Sequence, residues 1–219
     1  MSRIVIIGGH GKIARKATPG IIEDGHEVSS VIRDPDQSAS ITKLGANPVV
    51  ADVARLQEHE LEDLLRGHDI VVWAAGAGGG GDAEKTYAVD RDAAIRSMDA
   101  AAKAGVERYV MISYFGAAPD HGVPADDPFF AYAEAKAAAD LHLESSALKW
   151  TILQPSALTE GPATGHIDSR ADSAGETSRG NVAAVIRAVV SAESAAVAGL
   201  AVRFNDGDTP IDEALRQAR

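Results

Sequence analysis

Residues 3–14 read RIVIIGGHGKIA: an almost unbroken apolar, β-branched run, then a glycine turn, then the start of a helix. A run of that kind suits a strand buried on both faces of a parallel sheet. Glycine at 8 lets the chain turn sharply off the strand end. Glycine at 11 lets main-chain N–H groups approach something bulky and anionic at a helix N-terminus, where the dipole favours negative charge. The spacing Gly8-x-x-Gly11-x-x-Ala14 departs by one residue from Gly-x-Gly-x-x-Gly and ends in alanine, which still permits close helix-to-strand packing. Glycines at a strand end also make ordinary turns, so context decides. Here the turn follows a strand, opens a helix over residues 12–24 and leads to a second strand over 26–32. Gly8, Gly9, His10, Gly11, Lys12 and Ile13 are therefore candidates to hold a pyrophosphate.

Outward from this unit the chain keeps alternating. Helical patterns cover residues 36–44, 55–65, 84–104 and 129–148, and strand patterns cover 47–51, 69–75 and 106–113. Strand and helix in alternation imply right-handed crossovers and an α/β fold with a doubly wound parallel sheet. A glycine-rich stretch over 76–81 reads as a mobile loop. The length, 219 residues without a Ser/Pro/Gly-rich linker, favours one domain over residues 1–219.

Composition narrows the partners. With 21 basic and 32 acidic residues the net charge is −11, which argues against nucleic acid or an anionic membrane as a general partner. There is no cysteine, hence no disulfide or thiolate chemistry, and a cytoplasmic location is compatible with that. No apolar run approaches the roughly 20 residues that span a bilayer. The first strand pattern begins at Arg3, leaving no room for a signal peptide. The histidines lack His-x-x-x-His spacing, so no metal site is expected, and the absence of Gly-x-Ser-x-Gly argues against an α/β-hydrolase.

In such a sheet ligands bind beyond the carboxyl ends of the strands. After the second strand stands Arg33, where a carboxylate would accept hydrogen bonds from the ribose of NAD. An arginine pairs instead with a 2′-phosphate, so NADP is favoured and NAD is the alternative. An exposed arginine pairing with Asp34 or Asp36 is the plainer reading. Asp52, with Val53 beside it, follows the third strand and could accept the adenine amino group or simply cap the next helix. Ala74, Ala75 and Gly76 follow the fourth strand, where ribose and phosphates would pass.

A second constellation is Tyr132-Ala-Glu-Ala-Lys136, whose i, i+4 spacing puts a phenol and an ammonium on one helix face. A carbonyl reductase needs a proton donor, and a nearby lysine charge would make the phenol a better acid. Ser113, at the end of the fifth strand, can hydrogen-bond the same substrate oxygen. Ser113, Tyr132 and Lys136 are the catalytic candidates.

These motifs resemble the short-chain dehydrogenase/reductases, and more narrowly their small atypical NAD(P)H-binding branch. The resemblance runs through IVIIGGHGKIA at the start, VIRDP at 31–35, ADV at 51–53, VVWAAGAG at 71–78, GVERYVMIS at 105–113, YAEAKAAAD at 132–140 and LKWTILQPSALTEGPATG at 148–165. It implies a Rossmann-type fold with a small C-terminal substrate-lid region, the substrate-facing segments lying near 115–130 and 156–180. It also implies that Lys136 holds the nicotinamide ribose and that Pro155, Ser156 and Leu158 lie against the nicotinamide. Two residues depart from the family pattern: Gln154 stands where arginine is frequent and Asn181 where aspartate is usual. The reading is an NADP(H)-dependent oxidoreductase acting on a small carbonyl or alcohol, as a monomer or homodimer. Its rivals are an NAD(P)-dependent epimerase or dehydratase, and a non-catalytic NADP-sensing regulator.

Overall fold

The computed structural model describes residues 1–77 and 82–219. The glycines at 78–81, on which most of the mobile-loop expectation falls, lie outside the described residues. The first strand, β1 (Arg3–Ile7), pairs in parallel with β2 (Glu27–Ile32) on one side and β4 (Ile70–Trp73) on the other. β3 (Asn47–Val50) continues the sheet beyond β2, and β5 (Arg108–Ile112) and β6 (Lys149–Pro155) continue it beyond β4, all in parallel. The order 6-5-4-1-2-3 reverses its direction of growth between β1 and β4, the crevice where doubly wound sheets take nucleotides.

Period-two alternation divides the core. Ile4 and Ile6 of β1 face one layer of helices, α1 (Lys12–Glu23), α2 (Ser38–Lys43), α7 (Arg179–Ser191) and α9 (Ile211–Gln217). Val5 and Ile7 face the other, formed by α3 (Glu58–Leu65), α5 (Ala94–Lys103) and α6 (Phe130–Glu144). Both faces of β1 are thus dry, as its unbroken apolar run requires.

Several details differ from the sequence reading. The third helix begins at Glu58 rather than near 55, because Gln57 and Glu60 form a capping box in which the Gln57 N–H donates to Glu60 Oε2 at 2.8 Å. The pattern over 84–104 resolves into α4 (Ala83–Thr86), a π-helical stretch Tyr87–Ala93, and α5. α6 stops at Glu144, where the Ser145 and Ser146 hydroxyls donate back to the Leu141 and Leu143 carbonyls. The sheet is mixed at one edge. Past β7 (Ala157–Thr159), β8 (His166–Asp168) and β9 (Glu176–Ser178) come α7, the short α8 (Ser194–Val197), β10 (Leu200–Asp206) and β11 (Thr209–Pro210). β10 adds in parallel to β6, while β8 pairs antiparallel with β10 and β11, and β7 and β9 form a small sheet of their own. The segment 156–180 is therefore partly built into the sheet, anchored by the fully buried Ile167. Among the described residues no helix is long and apolar enough to cross a membrane.

Candidate cofactor and active site

The glycine turn is made by backbone contacts that leave no room for side chains. Gly8 has φ +86°, and a Cβ there would sit 2.6 Å from the Ala75 nitrogen. A Cβ on Gly9 would sit 2.5 Å from that of Ser30. All three glycine amides have main-chain acceptors: those of Gly8 and Gly9 donate across to the Val31 carbonyl of β2 at 3.1 and 2.9 Å, and that of Gly11 donates to the Gly8 carbonyl within the turn at 2.9 Å. These N–H groups are thus already partnered within the main chain. The amides of Lys12 and Ile13, in the first turn of α1, find no main-chain acceptor among the described residues, and no side chain caps that helix end. The helix terminus thus presents unpartnered donors of the kind an anion takes, with the glycines shaping the approach to it.

This turn opens on a cleft of about 400 Å³ lined by Gly8, His10, Gly11, Arg33, Asp52, Val53, Ala74, Ala75 and Gly76, among others. The fingerprint and the residues after β2, β3 and β4, scattered in sequence, converge there. Gly9 is buried beneath the turn, Lys12 is exposed and Ile13 packs half-buried against the core. Arg33 is exposed and makes no ion pair among the described residues, while the Asp34 carboxylate accepts the Asp36 N–H at 3.0 Å. Asp52 does not cap a helix. Its Oδ1 accepts the Ala54 N–H at 3.2 Å and its Oδ2 lies 3.5 Å from Arg55 Nε. The residues present fit a dinucleotide: an uncapped helix terminus for phosphates, a free guanidinium and a carboxylate at the far wall.

The second group lies outside this lining. α6 carries Tyr132, Lys136 and Asp140 on one face at i, i+4 and i+8, against the ends of β5 and β6. Lys136 is 1% exposed, and its ammonium donates to the Ile112 carbonyl at 2.6 Å. The Ser113 hydroxyl donates to Asp140 Oδ2 at 2.5 Å, and the Gln154 amide nitrogen donates to the same oxygen at 3.3 Å. Tyr132 packs in an aromatic cluster with Tyr114 and Phe129, ring centroids 5.5 and 5.1 Å away. At the end of β6, Pro155 and Ser156 are buried. The Ser156 hydroxyl donates to Asn205 Oδ1 at 2.5 Å, and Leu158, on β7, is 38% exposed. Asn181 is fully buried; its Oδ1 accepts the Thr164 and Gly165 N–H groups, and its Nδ2 donates to Asp206 at 2.7 Å. An amide fits this site because it needs both an acceptor and a donor.

The electrostatics correct one expectation. The Tyr132 hydroxyl is not made more acidic by Lys136: burial pushes its pKa up, and the carboxylates of Asp90 and Asp140 add to the rise. Burial also disfavours the Lys136 charge, opposed by Asp140 and Asp90. The two acids are raised in turn by burial, Asp140 to about 6, with Lys136 pulling against it. Neither acid was singled out from the sequence. Asp140 carried a signal, as the third polar residue at i+4 intervals in an alanine-rich helix. Asp90 carried none, since it is turned inward by the π-helical stretch and accepts the Ala77 N–H at 2.9 Å. Ala77 lines the cleft, so Asp90 stands between the cleft wall and the buried lysine.

Residues 8–193 match the family described as NAD(P)H-binding. The uncharacterized sugar epimerase YhfK of Bacillus subtilis is 32% identical over 219 residues, spanning 98% of this chain and 99% of its own. A solved Bacillus halodurans protein, provisionally assigned as an NAD-dependent epimerase/dehydratase, is 29% identical with a TM-score of 0.89, covering 99% of this chain and 100% of that one. The oxidoreductase ylbE of Lactococcus lactis is 30% identical with a TM-score of 0.85, covering 98% and 95%. A glycine turn that bares a helix terminus, a cleft at the sheet's reversal point and a match along most of the sequence have one meaning: the chain belongs to the NAD(P)H-binding family.

Proposed function

We propose that the protein is an NADP(H)-dependent oxidoreductase that interconverts a small carbonyl and its alcohol. The observation that carries this reading is a phenol and a buried ammonium on one face of α6, the ammonium bonded to the end of β5 and the Ser113 hydroxyl bonded to Asp140 of the same helix face, one strand away from the dinucleotide cleft. The nicotinamide, when bound, supplies or accepts the hydride. The Lys12 and Ile13 amides hold the phosphates, and Arg33 takes the 2′-phosphate. Ala74, Ala75, Gly76, Pro155, Ser156 and Leu158 form the path along which the reactive ring reaches Tyr132. A phenol held neutral by its surroundings is a proton donor at neutral pH, so Tyr132 gives its proton to the substrate oxygen as the carbonyl carbon is reduced. In this reading Lys136, whose ammonium donates to the Ile112 carbonyl, exchanges that bond for the nicotinamide ribose. Ser113 orients the substrate oxygen.

Calorimetric titration tests the cofactor half. NADPH should bind roughly 10- to 100-fold more tightly than NADH, the worth of a charge-assisted pair, and Arg33→Ala should close the gap. Equal affinities in the wild type would remove the role given to Arg33. Loss of NADPH absorbance over a panel of aldehydes, ketones and quinones tests the redox half. Two relatives carry epimerase names, which favours a second reading in which the hydride returns to the substrate. That reaction leaves the cofactor absorbance unchanged while a sugar's configuration inverts.

A further inference from the structure

The Ser113 hydroxyl has one proton, and Asp140 has it. Asp140 is 5% exposed, its Oδ2 accepts from Ser113 at 2.5 Å and from Gln154 at 3.3 Å, and its Oδ1 is buried with no partner among the described residues. The groups facing it are Lys136 and Glu144 from its own helix, Ser113 from the end of β5 and Gln154 from β6. Its charge is felt by Tyr114 and Tyr132, and Asp90 acts on the same lysine. A carboxylate takes hydrogen bonds and gives none. While Asp140 is charged, Ser113 therefore offers a substrate only lone pairs. These suit a bound alcohol, which brings its own proton, and do not suit a carbonyl oxygen.

We propose that Asp140 is a positioning residue whose protonation sets the hydrogen-bond role of Ser113, and with it whether the site favours a carbonyl or an alcohol. Uptake of a proton by Asp140 removes the charge that holds the serine bond. The serine proton is then free to turn to a carbonyl oxygen. The unpartnered Oδ1 makes this uptake accessible, because a neutral acid leaves less unsatisfied charge in the interior than a carboxylate does. The proposal rests on the oxidoreductase reading for its substrate side, but the bond between Asp140 and Ser113 stands independently of it.

Infrared difference spectra of the full chain between pH 4 and 8 test the bond without any substrate. A protonated-carboxyl band, absent in Asp140→Asn, should appear as the pH falls through about 6. Ser113→Ala should move its midpoint up by roughly one pH unit, since the charged form loses its best donor, and Ser113→Thr should restore it. A midpoint unmoved by Ser113→Ala would overturn the proposal. Kinetics test the consequence with whichever carbonyl of the panel turns over. Reduction should rise several-fold as the pH falls through that midpoint and oxidation of the matching alcohol should fall, and both trends should vanish in Asp140→Asn, whose side chain has no proton to take up in that range. PH limbs unchanged in Asp140→Asn would overturn the proposal. No turnover of any carbonyl, with the infrared shift intact, would overturn the oxidoreductase reading and leave the coupling of acid and serine standing.

Discussion

At the scale of single residues, the site is a contest between burial and charge. Tyr132 and Lys136 were legible because their spacing survives in any helix, but their ionisation was not, because it depends on groups from elsewhere. The sequence reading counted one neighbour of Tyr132, the lysine. The folded molecule surrounds the phenol with aromatic rings and two carboxylates, and desolvation dominates. The phenol is therefore expected to act as a neutral donor. Replacing Tyr132 by Phe should lower carbonyl turnover by about 10²- to 10⁴-fold, the usual contribution of a general acid. NADPH affinity, read by calorimetry, should stay near that of the wild type. A variant with full turnover would show that the proton comes from another group.

At the scale of elements, the molecule is held by contacts between helix ends and distant strands. Arg108, at the start of β5, is buried and donates to the carbonyls of Val189, Val190 and Ala192, meeting the unsatisfied C-terminal end of α7. The end of α1 is tied to α7 in a second way. Asp24 accepts from Arg187 at 2.8 and 2.6 Å and from the Ser191 hydroxyl at 3.0 Å, and the arginine holds its pKa down to about 2. Because the folded value lies below the ordinary 3.8, this contribution is complete above that pH and is lost as the pH falls through about 2. The pair is partly exposed, so Asp24→Asn should destabilise the fold by only about 0.5–1 kcal/mol at pH 7 by urea unfolding. Wild type and variant should converge near pH 2. An undiminished difference there would mean that Asp24 acts through packing and not through its charge.

For the whole molecule, the cleft lies where the sheet reverses its order, and a ligand there touches segments that follow β1, β2, β3 and β4 at once. A ligand bound across so many segments binds the folded state and not the unfolded chain. NADPH at a hundred times its Kd should stabilise the fold by about 2.7 kcal/mol. For a chain of this length that raises Tm by roughly 5–10 °C. Thermal unfolding with NADPH and NADH would check it, the phosphorylated cofactor giving the larger rise. No rise with either would remove the cofactor from this cleft. The alternating periods, the glycine turn and the polar residues after each strand were readable from the sequence alone, because strand and helix periodicity and glycine's freedom at positive φ are local properties. The doubly wound sheet and the composition of the cleft follow from them. Only the tertiary structure decided that the Gly8 and Gly9 amides donate to the Val31 carbonyl of β2, that β8 joins the sheet antiparallel, that Asp90 turns inward, and that Asp140 holds the proton of Ser113. Each of these depends on which distant groups share a dry space. Hydrogen bonding and desolvation there act between residues that no short window of sequence contains.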